Sequence, residues 1–152
     1  MSSTATVSRN SEERVRVSFS RQNAMSTIGA TLTVVTPGMV EIEMPYCDSL
    51  TQQYGFIQGG ILSTALDSAC GYAAYSLMPE NTAVLTVEFK VNFLAPGKGE
   101  RFLFRGSVIK PGRTIIVADG QAYGFAADGA TKLLATMTAT MMALPDRADI
   151  VD

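Results

Sequence analysis

The chain has 152 residues with 12 Lys+Arg against 14 Asp+Glu, enough for one domain with a full core and too nearly neutral to draw nucleic acid as a whole. It has no histidine and two cysteines, which excludes Ser-His-Asp and Cys-His catalysis within the chain and any histidine metal site.

In chain order, residues 1–11 are Ser/Thr-rich without an apolar core and read as a disordered tail rather than a signal peptide. A cytoplasmic protein with Cys47 and Cys70 reduced is therefore expected, although their spacing leaves a disulfide open. Residues 12–145 read as one domain and 146–152 as a C-terminal tail. Ser11-Glu-Glu with Val15, Phe19 and Met25 predicts a capped amphipathic helix over 11–25. Strands are predicted at 29–35 and 39–45, joined by Pro37-Gly38, and a polar loop follows at 46–57.

Next comes an apolar, glycine-opened segment, 55–78, ended by Pro79. Asp67 is the one formal charge between Asp48 and Glu80. A carboxylate near the centre of a membrane span costs about 2.5–3.5 kcal/mol, so the segment reads as the long central helix of a globular domain. Ile61, Leu62, Ala65, Leu66, Ala69, Ala73 and Leu77 form a stripe fit to pack on a sheet. Ser63, Asp67, Gly71 and Ala74 lie on the other side, and their small size suits close approach by another helix or subunit.

The second half is strand. In 86–93, Val87, Phe89, Val91 and Phe93 alternate with Thr86, Glu88, Lys90 and Asn92, and further strands are predicted at 100–110, 113–126 and 131–142 as an antiparallel meander. Ala118, Gly120, Ala122, Gly124 and Ala126 make one face small enough for a helix to come close. Lys90, Lys98, Arg101, Arg105, Lys110 and Arg113 face one acid, Glu100, over 90–113, which is either an anion site or a run of solvated edge charges. The expected architecture is α+β: a curved antiparallel sheet wrapped around one long central helix, paired across a symmetric interface.

Gln58-Gly-Gly-Ile-Leu-Ser-Thr-Ala-Leu-Asp67, then 87–97 (VEFKVNFLAPG) and 108–114 (VIKPGRT), resemble the hot-dog-fold acyl-CoA thioesterases of the phenylacetate-pathway, PaaI-like type. The likeness runs over about 11–144. It implies a hot-dog fold, homodimers pairing into homotetramers, and hydrolysis of an aryl-acyl- or medium/long-chain acyl-CoA with no cofactor beyond the coenzyme A of the substrate and no metal. It also implies roles: Asp67 as general base or nucleophile, the Gly59 backbone N–H as oxyanion donor, Thr86 as the strand hydroxyl and Gln52, with Gln53 nearby, as the loop amide. Coenzyme A contacts fall on Phe93, Lys110, Gly112 and Arg113. The family's usual His before the paired glycines is Gln58 here, which hydrogen-bonds but carries no proton at neutral pH.

Each of these residues has an ordinary reading as well. Asp67 suits an exposed helix carboxylate or a structural acceptor; Gly59 and Gly60 a tight helix entry; Thr86 a strand position; Glu88, the competing carboxylate, the surface; and Lys110 to Arg113 a hairpin turn. The substitution at Gln58 keeps a non-catalytic acyl-CoA-binding or sensing module as the alternative function. A hot-dog hydratase or dehydratase is disfavoured, because those enzymes usually pair His with an acid.

Overall fold

The computed structural model describes residues 3–147. The elements run α1 (Ser3–Ser20), α2 (Asn23–Thr27), β1 (Thr31–Thr36), β2 (Met39–Pro45), a 3-10 turn (Asp48–Leu50), α3 (Gly59–Tyr75), β3 (Thr82–Phe93), β4 (Arg101–Lys110), β5 (Ile115–Phe125) and β6 (Thr131–Pro145). The first helix begins at Ser3, ahead of the expected start at Ser11. It breaks at Arg21 and Gln22, whose N–H groups turn back to Ser18 and Phe19 carbonyls. Met1, Ser2 and 148–152 of the expected tails lie outside the described residues.

The expected wrapping of the sheet around the helix is not what forms. The six strands make one open sheet in the order β1-β2-β4-β5-β6-β3, and closure would require β1 to pair with β3 across four intervening strands. The three strands after 86–93 do form the expected antiparallel meander, β4-β5-β6, while β3 joins it at the edge by pairing with β6, and β4 also pairs with β2. The helix α3 lies on one face of this sheet, against β2 to β6. Part of its remaining surface is covered by α1. Arg14 of α1 donates through Nη2 to the Tyr75 and Met78 carbonyls at 3.2 and 2.9 Å and stacks on the Tyr75 ring, placing a cation at the end of α3 where one is favoured. Phe19 packs its ring on Tyr72, and Ser18 shares a hydrogen bond with the Tyr72 hydroxyl at 3.2 Å.

The small sheet face works as its composition predicts. A Cβ on Gly120 would stand 3.0 Å from Cys70 Sγ and 3.1 Å from Leu66 Cδ2. The closest approach is at Gly106 on β4, where a Cβ would stand 2.2 Å from the Ala69 carbonyl oxygen. Helix backbone cannot yield as a side-chain tip can. Gly106→Val is therefore expected to lower stability by roughly 3 kcal/mol or more, read by denaturant unfolding. Gly71→Ala, whose Cβ would meet nothing within 4 Å, should instead gain about 0.5–1 kcal/mol from better helix propensity.

Leu62, Ala65, Leu66, Ala69 and Ala73 of the predicted stripe are buried, whereas Leu77 lies past the helix end and is 43% exposed. On the opposite side Ser63 and Ala74 are also buried within the chain, leaving Asp67 and Gly71 as the half-exposed pair. Cys70 is a core residue, its thiol pushed up to about 12 by burial, and both cysteines are free. No described helix is long and apolar enough to cross a membrane.

Candidate functional site

Asp67 sits at the middle of α3, where the helix faces β3. Thr86 Oγ1 donates to its Oδ1 at 2.8 Å, so the pair singled out in the sequence meets across a helix and a strand. Desolvation by burial pushes the Asp67 carboxyl above the ordinary carboxylate range, and the Thr86 hydrogen bond draws it part of the way back. The carboxylate opens into a cleft of about 180 Å³ bordered by Ser18, Gln22, Ser68, Gly71 and Tyr72. Sequence reasoning missed Ser18 and Gln22. They come from the N-terminal helical segment, whose docking on α3 no local pattern specifies.

A base that must be ionised loses activity as pH falls through its own pKa. The acid limb of any Asp67-dependent activity is therefore expected above the usual carboxylate range. Thr86→Val deletes the hydrogen bond that favours the ionised form, so it should move that limb to still higher pH. A pH–rate profile of both chains checks this, and coincident limbs would remove Thr86 from the site.

Gly59 and Gly60 open α3, with Gln58 at the N-cap. The Gln58 side-chain oxygen accepts from the Ile61 N–H at 3.1 Å and folds over Gly60, where a Cβ would stand 2.7 Å from it. The missing histidine thus has a helix-capping amide in its place. The N–H groups of Gly59 and Gly60 meet no acceptor among the described residues and lie at the positive end of the helix. Phe93, at the far end of β3, lies over this entry, its Cζ 3.0 Å from where a Gly59 Cβ would be.

Gly59 and Asp67 are a little over two helical turns apart, about 12 Å along the axis, so one chain does not bring them together. Thr86 shares a sheet row with Met141 and Ile116, whereas Phe93 shares one with Ala135 and Ala122. The β4–β5 turn holding Lys110, Gly112 and Arg113 follows on from the Thr86 row. All three are exposed, and a Cβ on Gly112 would stand 2.0 Å from the Ile115 carbonyl oxygen, so the turn requires glycine there.

The wider cation cluster disperses. Arg105 pairs with Glu41 at 2.7 Å and Arg101 with Glu43 at 3.4 Å, the latter also stacked on Phe125. Gln52 stays in its loop, its Oε1 accepting from the Tyr54 N–H at 2.5 Å, and its neighbour Gln53 is exposed. Glu88 is an exposed strand residue bonded to Thr140. No group of three His, Cys, Asp or Glu residues suited to a metal occurs among the described residues.

The family model of the thioesterase superfamily matches residues 54–124, which hold the helix entry, Asp67, Thr86, Phe93 and the cationic turn. A thioesterase family protein from Silicibacter pomeroyi is 60% identical, with a TM-score of 0.87 over 89% of this chain and 98% of that one. A Saccharolobus solfataricus protein provisionally named an esterase is 35% identical over 82 residues, which are 54% of this chain. That match spans 58% of the relative's length. The PaaI protein of the Escherichia coli phenylacetic acid degradation operon, at 16% identity and a TM-score of 0.80 over 91% of this chain, shares the fold.

Proposed function

The chain belongs to the thioesterase superfamily as a PaaI-related hot-dog protein, and from that premise we propose that it hydrolyses acyl-CoA thioesters at a site shared between two subunits. The observation that carries this is the Asp67–Thr86 pair: a half-buried carboxylate with a raised pKa, held by one hydroxyl and open to a cleft. Such a group is a better base than a solvated aspartate.

Asp67 takes a proton from water as the water oxygen attacks the thioester carbon. The carbonyl oxygen becomes an oxyanion and is held by the Gly59 N–H of the other subunit. Collapse breaks the C–S bond, and the coenzyme A thiolate recovers a proton from Asp67. An attack by Asp67 itself, giving a mixed anhydride that water then opens, uses the same geometry. In either case the leaving group is a thiol, far more acidic than an alcohol, which departs as thiolate without a strong acid. That makes Gln58 tolerable where the family usually has His. Its amide positions the helix entry.

The β4–β5 turn, with Lys110 and Arg113 free of ion-pair partners among the described residues, would take the coenzyme A phosphates, Arg113 as a fork and Lys110 as a point charge. Gly112 lets the turn close, and Phe93 would flank the pantetheine arm beside Gly59. Gln52 orders the loop ahead of the helix rather than touching the carboxylate in its own chain. The assembly is a homodimer formed along the β3 edge, pairing further into a tetramer.

The test is free-thiol release from a panel of aryl-acyl- and aliphatic acyl-CoA substrates. Turnover of at least one of them supports the reading. Tight binding of coenzyme A derivatives with no thiol release would favour the sensing module, the alternative that Gln58 motivates.

A further inference from the structure

We propose that Gln22 is a specificity-determining residue which, from the N-terminal helical segment, hydrogen-bonds a hydroxyl on a short acyl group lodged beside Asp67. The reaction it serves rests on the thioesterase reading, but the subsite is defined by its own geometry.

Gln22 stands at the N-cap of α2, where a polar side chain ordinarily turns back onto the N–H groups of its own helix. It makes no such bond. Its side chain instead reaches α3, with Oε1 accepting from Ser68 Oγ at 2.8 Å. This fixes the amide at the wall of the Asp67 cleft with one polar half still unspent, since no other partner of the side chain occurs among the described residues and none of its atoms is a buried orphan. A hydroxyl both donates and accepts, so it satisfies that half whichever way round the amide lies.

The rest of the cleft sets the size and character of the occupant. Gly71 lies one helical turn beyond Asp67 and leaves open space where any other residue would place a side chain. The Ser18–Tyr72 hydroxyl pair stands at the border next to Gln22, while Ala83 and Val84 supply the apolar lining. About 180 Å³ is roughly six waters' worth of space at about 30 Å³ each. Within one chain that accommodates a short chain or a single ring carrying a polar tip.

The test uses two isosteric probes, the coenzyme A thioethers of heptanoyl and 6-hydroxyhexanoyl type, titrated calorimetrically against the wild type and Gln22→Met. The matching thioesters are then assayed for thiol release. The wild type is expected to prefer the hydroxyl probe by about tenfold, the order expected of one net hydrogen bond, and Gln22→Met to erase that preference in binding and in the kcat/KM ratio. Ser68→Ala frees the amide from its anchor but keeps the amide itself at the cleft, so it should weaken the preference without erasing it. If Ser68→Ala erases it as fully as Gln22→Met does, the effect is helix packing and the recognition role falls. Equal affinity of the wild type for both probes, or turnover with no preference between the thioesters, likewise overturns the proposal. A preference that collapses in Gln22→Met without hydrolysis of either thioester would uphold the subsite and refute the thioesterase reading instead.

Discussion

Asp67→Asn is expected to reduce free-thiol release by roughly 10²–10⁴-fold, the range that a positioned proton acceptor contributes, while binding of coenzyme A derivatives is retained. Asn matches Asp in shape and presents an oxygen to the Thr86 hydroxyl, so the 2.8 Å bond survives in form and only the capacity to accept a proton or attack as an anion is lost. Undiminished turnover would transfer the chemistry elsewhere, with Glu88 on the same strand as the next carboxylate. The same substitution has a stability signature of known sign. Burial raises the folded-state pKa of Asp67 above its unfolded value, so its ionised form is disfavoured by folding. That penalty is absent in acid, where both states are protonated, and sets in as pH rises through the two pKa values. Asp67→Asn should therefore be relatively more stable than the wild type at neutral pH, with the difference shrinking in acid. Thermal melts across pH check this against the kinetic loss.

The sequence made this residue conspicuous because a lone charge inside an apolar helix has few inexpensive places to be. Periodicity also placed the central helix and the strands to within a few residues, since the two hydrophobic periods differ and Pro-Gly turns separate the segments. What it could not resolve was which strands would pair. Alternation in 86–93 marks a strand with an apolar face, yet in the chain Leu85, Val87, Phe89 and Phe93 are each more than two-fifths exposed, and β3 lies at the sheet edge against β6. A bulge between Thr86 and Glu88 shifts the register beside the one residue that reaches Asp67. The sheet was expected to wrap the helix because its small residues let a helix come close, and the helix's second face was assigned to another helix or subunit. That surface is met in part by Arg14, Ser18 and Phe19 of α1, whose docking is long-range and leaves no local signature. Gln22 was illegible for the same reason: its partner Ser68 is 46 positions away.

Exposed apolar side chains on a strand with one unpaired edge argue for a covering partner, and a second copy of the chain is the partner that completes the proposed site. Within one chain the Gly59 N–H and the Asp67 carboxylate are about 12 Å apart along α3, whereas water attack and oxyanion binding at one thioester need each group within about 3 Å of its target atom. A two-fold axis across β3 would set the Gly59 end of one helix opposite the Asp67 of the other. The expected result is complementation between two inactive chains. Gly59→Val places bulk against Phe93, whose ring already lies 3.0 Å from the Cβ position, and closes the approach to the N–H. Asp67→Asn removes the carboxylate. Each alone should be inactive. Co-expressed or refolded together, random dimers are half mixed, and each mixed dimer carries one site with both native groups, so roughly a quarter of wild-type activity should return. Placing both substitutions on one chain and mixing it with wild type creates no such site in the mixed dimer. Its activity should therefore come only from the surviving wild-type dimers. Absence of rescue from verified mixed dimers would confine the chemistry to single subunits, and the Gly59 oxyanion role would have to be abandoned, because no motion of one rigid helix brings its entry to its own middle.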